Sequence, residues 1–265
     1  MNRHQVFLKS ANFCTSAVAL SILAFSAHAL PLVENGSFTL TSAGPNKLLP
    51  ATMPTGWTYA GGAPGIAVIY SPGAADTFGS GLPFLWGPNN SSVNVFSDNH
   101  LTDTSPDGGN YLASDSDPNF SGVFSQTISD LTPGKDYILS FYYAAAQFSD
   151  DNGNWNGKTE SRWQVGLGDA GIYDTPVLKI DSHGFSGWMH ETHTFKVPET
   201  SDGSELLTFF AIGHPGGLPP VALLDGISLN AVPEPETIAL LSIGLLGILA
   251  TSRPQRSSAP VRFWA

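Results

Sequence analysis

The sequence predicts an all-β chain folded as a two-sheet β-sandwich, set between two targeting segments. Three observations predict it. No window before Thr237 places apolar residues at helical spacing. Short runs of Val, Ile, Phe, Tyr and Thr instead alternate with clusters of turn-forming residues. The 202 residues from Leu30 to Ala231 suffice for one large β domain. No period of about 20–50 residues recurs, which excludes a solenoid or a propeller.

At the front, Arg3 and Lys9 precede an apolar run from Ala17 to Ala27, and Ala27-His28-Ala29 is a small-x-small cleavage site. Residues 1–29 therefore read as a secretory signal peptide. The single cysteine, Cys14, lies inside it without a lipobox at the cleavage point. The exported domain, 30–231, is thus expected to carry no disulfide, thiol chemistry or lipid anchor. It holds six Lys and Arg against 20 Asp and Glu, a formal charge near −14. Such a field repels nucleic acid and anionic membranes and suits calcium.

Strands are expected at Leu32–Thr39, Ile66–Tyr70, Val93–Phe96, Tyr111–Ser114, Val123–Ile128, Tyr137–Gln147, Arg162–Leu167, Val177–Ile180, Met189–Val197, Leu206–Ile212 and Val221–Leu229. The stretch Ser71–Asn90, rich in Gly and Pro, reads as a long irregular loop. Tyr137–Gln147 is apolar on both faces, as for a central strand covered by a second sheet on one side and by loops on the other. In Arg162–Leu167, Trp163, Val165 and Leu167 alternate as core with Arg162, Gln164 and Gly166. Pro133-Gly134 suits a type II turn.

The C-terminal segment 232–256 has three parts in fixed order, followed by a tail, 257–265. Val232-Pro233-Glu234-Pro235 is held extended by its prolines. Thr237 to Ser252 is a 16-residue uncharged run, closed by Arg253 and Arg256. As a helix it rises about 24 Å, a short transmembrane helix against a hydrocarbon core of about 30 Å. An ordinary anchor helix would give the apolar run alone. Together with Pro-Glu-Pro and the arginines, the segment resembles the PEP-CTERM sorting signal. That resemblance implies export, transient inner-membrane anchoring, cutting by an exosortase-type protease, and release to the cell surface or the extracellular space.

A second resemblance covers nearly the whole domain. Asn35-Gly36-Ser37-Phe38, Pro54-Thr55-Gly56-Trp57, Gly109-Asn110-Tyr111-Leu112, Phe124-Ser125-Gln126-Thr127-Ile128, Pro133-Gly134-Lys135-Asp136-Tyr137 and Leu224-Asp225-Gly226-Ile227 occur in this order. The succession is similar to galactose-binding-like jelly-roll domains, the fold of many carbohydrate-binding modules. The fold by itself does not fix the function. The resemblance also implies a structural calcium ion where the first and last strands meet. Asp225 matches the final-strand ligand, while Thr39 stands where an acid is expected and Glu34, on the other side of the motif, is the candidate to substitute for it.

Catalytic constellations are absent. His190 and His193 are three apart on an expected strand, so they point to opposite faces, unlike a zinc-binding i, i+4 pair. There is no nucleophile elbow and no phosphate-cradling glycine loop. The loop Asp150-Asp151-Asn152-Gly153-Asn154-Trp155-Asn156-Gly157 fails the EF-hand pattern, and Asp115, Asp117 and Asn119 alternate as in a chelating or a turn-forming segment. Trp155 is expected to be exposed among small polar residues, as in sugar stacking, with Trp86 as second contact; Trp57, Trp163 and Trp188 read as core. The expectation is a non-enzymatic extracellular protein that binds polysaccharide or contributes to the matrix or biofilm. A purely structural surface protein, and a glycoside hydrolase using two of the many carboxylates, are the competing expectations.

Overall fold

The computed structural model describes residues 31–233 except 62–64, 78–81, 91–93, 95 and 150–151. The signal-peptide segment and residues 234–265, including Glu234, Pro235, Arg253 and Arg256, lie outside the described residues. The described strands in chain order are β1 (Lys47–Leu48), β2 (Thr58–Gly61), β3 (Ala67–Tyr70), β4 (Phe84–Leu85), β5 (Tyr111–Asp115), β6 (Gly122–Ile128) and β7 (Asp136–Ser149). Then follow β8 (Thr159–Leu167), β9 (Ile172–Asp174), β10 (Leu178–Ile180), β11 (Met189–Lys196), β12 (Glu205–His214) and β13 (Pro220–Ala231). All pairings between them are antiparallel. One sheet runs β1-β3-β5-β13-β7-β11, with β4 on the end of β7; the other runs β10-β8-β12-β6-β2, with β9 also on β8. The chain is a β-sandwich.

Between the sheets lies the main core. Leu139, Phe141 and Tyr143 of β7 alternate inward and meet Trp163, Val165, Leu207 and Phe209 from the second sheet. Phe209 is the hub. Its ring meets Phe141 edge-on at 5.3 Å and Trp163 at 6.0 Å, while Trp57 stacks on Phe124 at 4.4 Å. The Trp163 indole donates to the Leu223 carbonyl at 3.0 Å, so its one polar atom is satisfied inside the core.

The first sheet is buried on its other face as well. Val68, Tyr70, Tyr111, Ala113, Ala146, Phe148 and Leu223 form a second cluster, joined by Ala75, Leu85 and Leu101 from the long connection after β3. Trp188 caps it edge-on to Tyr111 at 5.5 Å and donates to Thr102 Oγ1 at 3.1 Å. The run Ala144-Ala145-Ala146 explains why loops approach only this half of β7: short side chains let covering residues come close. At the other end of the strand Ile138 faces solvent.

Two expected strands take other forms. Leu32–Thr39 is a series of turns, with Asn35 and Phe38 both at φ 51°. A positive φ is an outlier for a bulky residue. Phe38 is held there by full burial between Trp57 and Phe124 and by the Asn110 amide, which donates to its carbonyl at 2.9 Å. Within Val93–Phe96, Phe96 forms an isolated bridge to Gly87, and residues 93 and 95 lie outside the described residues. The stretch 71–90, expected to be irregular, contributes β4. The Pro133-Gly134 turn is present, with Gly134 at φ 76° and the Lys135 N–H donating to the Thr132 carbonyl at 3.2 Å.

Phe209→Ala removes the hub of the inter-sheet core and should cost about 3–5 kcal/mol. Ile172→Ala, at a residue 72% exposed on β9, should change stability by less than about 0.5 kcal/mol. Urea unfolding of the two variants against the wild type checks both.

Candidate functional site

The connections β2–β3, β5–β6, β7–β8 and β12–β13 all leave the sandwich at one end, as the registers Gly61↔Gly122, Ala67↔Ser114, Asp115↔Val221, Pro220↔Gln147 and Glu160↔His214 require. There they enclose a cavity of about 290 Å³. Its walls are apolar: Ile66, Phe120, Phe148, Trp155 and Pro219. Among the described residues its single ionisable wall residue is Asp115, at the end of β5. Trp155 is half-buried rather than exposed, since one side packs on the second hydrophobic cluster while the other lines the cavity.

Two neighbouring carboxyls behave oppositely here. Asp115 is 2% exposed. Its Oδ1 accepts from the Asp117 N–H at 2.9 Å, and no hydrogen bond reaches Oδ2 among the described residues. Burial pushes its pKa up to about 7, against that one hydrogen bond and with the charge of Asp117 adding to the rise. For Asp117 burial acts in the same direction but loses. The N–H groups of Asn119 and Gly217, the Asn119 side-chain amide and the charge of His214 hold it below the ordinary carboxylate value.

Trp86 is corrected from a ligand contact to a support. It is 2% exposed, and His183 stacks on it at 3.5 Å and 17°. His183 in turn meets Asn156 at 2.5 Å and donates its backbone N–H to Gln147 Oε1 at 2.8 Å. Gly153, at φ 67°, lies so close that a Cβ there would come within 3.2 Å of the Trp86 ring. Trp86 is therefore the floor beneath the loop that carries Trp155, with no face left for a ligand. Trp57 and Trp163 are core, and Trp188 is half-buried on the outer cluster.

Asp225 sits on β13 where the register to β7 shifts, and is fully buried. Its Oδ2 accepts from the Ser105 hydroxyl, while its Oδ1 has no partner among the described residues. Burial raises its pKa to about 7, with hydrogen bonds from Ser105 and the Gly226 N–H opposing and the nearby charge of Asp107 adding to the rise. Gly226, at φ 61°, brings Asp107 close; a Cβ there would stand 3.0 Å from the Asp107 Cβ. Ser37 donates to Asp107 Oδ2. Glu34 lies elsewhere, exposed, with its carboxylate beside Gly56. The acid close to Asp225 is thus Asp107, which no local motif marks as a ligand.

Other surfaces are less enclosed. An open cleft of about 440 Å³ holds Lys158, Glu160, Lys179, Asp181 and His214, but Lys158 pairs with Asp181 at 2.6 Å and Lys179 with Glu160 at 3.3 Å. The outer face of the second sheet has a groove with one aromatic side chain, Phe210. On β11 His190 lies against Tyr142 and His193 stacks on Tyr173, on opposite faces. No group of three or more His, Cys, Asp and Glu able to hold a metal occurs among the described residues. Val232 and Pro233 are exposed beyond β13, with the Val232 N–H donating to the Asp136 carbonyl at 2.9 Å. Among the described residues no helix is long and apolar enough to cross a membrane.

Residues 231–253 match the PEP-CTERM protein-sorting motif. The chain therefore carries the signal for export and membrane-anchored sorting by an exosortase. No curated protein sequence matches the chain. Similar solved structures include the Stig cyclase Fisc from Fischerella sp. TAU in complex with (3Z)-3-(1-methyl-2-pyrrolidinylidene)-3H-indole, at 16% identity and TM-score 0.48, covering 76% of this chain and 96% of that one. TmCBM61 in complex with β-1,4-galactotriose is similar at 13% identity and TM-score 0.38, covering 77% and 100%. A CBM4 structure is similar at 17% identity and TM-score 0.34, covering 76% and 99%.

The raised carboxyls fix the sign of a pH effect. A folded-state pKa near 7 against about 4 unfolded means that the folded chain keeps a proton which the unfolded chain has released. The stability Asp225 contributes is present below about pH 4 and is lost as pH rises through about 7. In chelator, Asp225→Asn should therefore gain on the wild type between pH 4.5 and 8 by more than about 1 kcal/mol, then level off. Urea midpoints across that range measure it.

Proposed function

We propose that the exported domain is a non-enzymatic polysaccharide-binding module whose ligand enters the loop-end cavity against Trp155. The observation that carries this reading is the half-buried indole. It is fixed from behind by the outer cluster and lines a partly enclosed apolar cavity at one end of the sandwich. An aromatic wall held in place loses little freedom when a sugar ring stacks on it, so more of the contact energy appears as affinity. Two carboxylates are needed for ordinary glycoside hydrolysis. Beside Asp115, Asp117 has both oxygens engaged by N–H groups, which supports binding over catalysis. Export and membrane-anchored sorting, which the motif at residues 231–253 indicates, support a role outside the cell for such a module.

The resemblance to jelly-roll domains implies calcium, and the carboxyls around Asp225 support that reading. A buried, unpartnered Oδ1 and the adjacent Asp107 carboxylate are oxygen donors of the kind calcium takes, and the ion would neutralise two like charges. Asp225 and Asp107 would hold it, with Glu34 outside the set. Bound calcium would tie the turn 105–107 to the last strand.

Trp155→Ala should weaken polysaccharide binding about tenfold or more while Trp155→Phe retains most of it. Pull-down on insoluble and soluble glycans, with melting curves for each variant, measures this. Equal binding by Trp155→Ala and wild type would sink the assignment. Calcium added to chelator-treated protein should raise the melting temperature at pH 8 more than at pH 5, because protons compete for Asp225. Asp225→Ala should abolish the increment; an unchanged wild-type curve with and without chelator rejects the ion.

A further inference from the structure

Three features of the loop-end cavity stand together. Three aromatic side chains, Phe120, Phe148 and Trp155, line it from three different segments. One carboxyl, Asp115, lines it at 2% exposure with Oδ2 unpartnered among the described residues. No Lys or Arg lines it among the described residues. A carboxylate in an apolar cavity loses most of its hydration, and a ligand cation is what restores the lost stabilisation. Aromatic faces add to the attraction, since a ring's negative face favours an ammonium group once it is desolvated. A neutral hydroxyl would gain from the rings' surface but would leave the charge uncompensated.

We propose that this cavity selects an organic ammonium group, held between the aromatic walls and the Asp115 carboxylate. The inference rests on the reading that the loop-end cavity is the ligand site, and it adds the charge of the group that enters. The size suits it: about 290 Å³ accommodates one trimethylammonium-sized group or one amino-sugar ring rather than a chain segment. Long-range charge works the same way, because a domain near −14 draws cations toward its clefts. Among the described residues, the ionisable groups around Asp115 carry no competing positive charge into the cavity. Tyr59 approaches from β2, Asp117 from the β5–β6 connection, and His214 reaches Asp117 from the end of β12. Lys158, on the loop that carries Trp155, is engaged by Asp181 in the neighbouring cleft.

The same chemistry can come from an amino sugar in a glycan or from a free quaternary ammonium ion, and the test separates them. Titration calorimetry of the exported protein at neutral pH would use three probes: a β-1,4-linked glucosamine oligomer, the matching glucose oligomer, and choline. Asp115→Asn is the informative variant, because its amide oxygen still accepts from the Asp117 N–H while the charge is gone. Ammonium-bearing probes should bind the wild type, and Asp115→Asn should weaken them about 30-fold. Glucose-oligomer binding, if present, should be unchanged by it. Binding of the glucosamine oligomer without choline identifies a glycan source, and choline without the oligomer identifies the free ion. Choline binding should also fall as pH drops below about 7, where Asp115 takes up its proton. Phe120→Leu, at a half-exposed ring, gives a second reading and should weaken choline more than the glucose oligomer. Glucose-oligomer binding that is lost in Trp155→Ala yet equal to glucosamine binding and indifferent to Asp115→Asn would overturn this inference and leave the polysaccharide reading standing. Failure of both ammonium probes to bind also overturns it.

Discussion

The structure depends on a sheet that is apolar on both faces. β7 is 14 residues long, and its inner side chains need the second sheet while Ala144, Ala146 and Phe148 need a separate cover. Backbone in a covering loop brings polar groups that must be paired, so the cover cannot be random coil. The connection after β3 meets this by pairing β4 with the end of β7, by donating the Ser71 N–H to Asn46, and by accepting from Asn99 at the Trp86 carbonyl and from the Trp188 indole at the Thr102 hydroxyl. The loop after β7 meets it through Trp86, His183 and Asn156. What a sheet-on-sheet sandwich leaves to solvent is here a second core.

That arrangement also makes the cavity. Where the cover meets the end of the sandwich, Phe148 comes from the sheet, Trp155 from the covering loop and Phe120 from the opposite connection. None of the three elements fills the space alone. One side of the wall is the strand end, fixed by β13 pairing on Pro220↔Gln147, and the other is the loop whose Trp155 packs on the outer cluster. A binding surface that is mostly set before the ligand arrives has this form.

Charge is placed sparingly and with consequence. Most ionisable side chains are solvated, and exposed pairs such as Lys179 with Glu160 contribute little. Asp115 and Asp225 are different. Each is buried at a strand position with one oxygen short of a partner, and each therefore holds its proton to near neutrality unless a cation arrives. One lies at the cavity and the other beneath the turn 105–107. Buried acids of this kind destabilise the folded chain above neutral pH, and a bound cation offsets that.

Local pattern alone determined the fold class, the central strand with two apolar faces, the alternation of Trp163, Val165 and Leu167, the Pro133-Gly134 turn and the opposed histidines. Each follows from the period-two geometry of a strand or from the φ a residue can adopt, so neighbours in sequence suffice. The Pro-Glu-Pro, apolar and arginine succession of the sorting motif is likewise local. Tertiary structure decided the rest. Leu32–Thr39 has strand-like composition, yet Phe38 is drawn to φ 51° because the space between Trp57 and Phe124 lies there. Trp86, before Gly87, and Trp155, between Asn154 and Asn156, both stand beside turn-forming residues in sequence. They separate only because His183, distant in the chain, covers one and leaves the other facing a cavity. Asp107 and Glu34 both carry a carboxyl near turn motifs, but the φ of Gly226 brings the first to Asp225. Which carboxyl loses its water is a property of packing between residues about a hundred positions apart, and no local pattern records it.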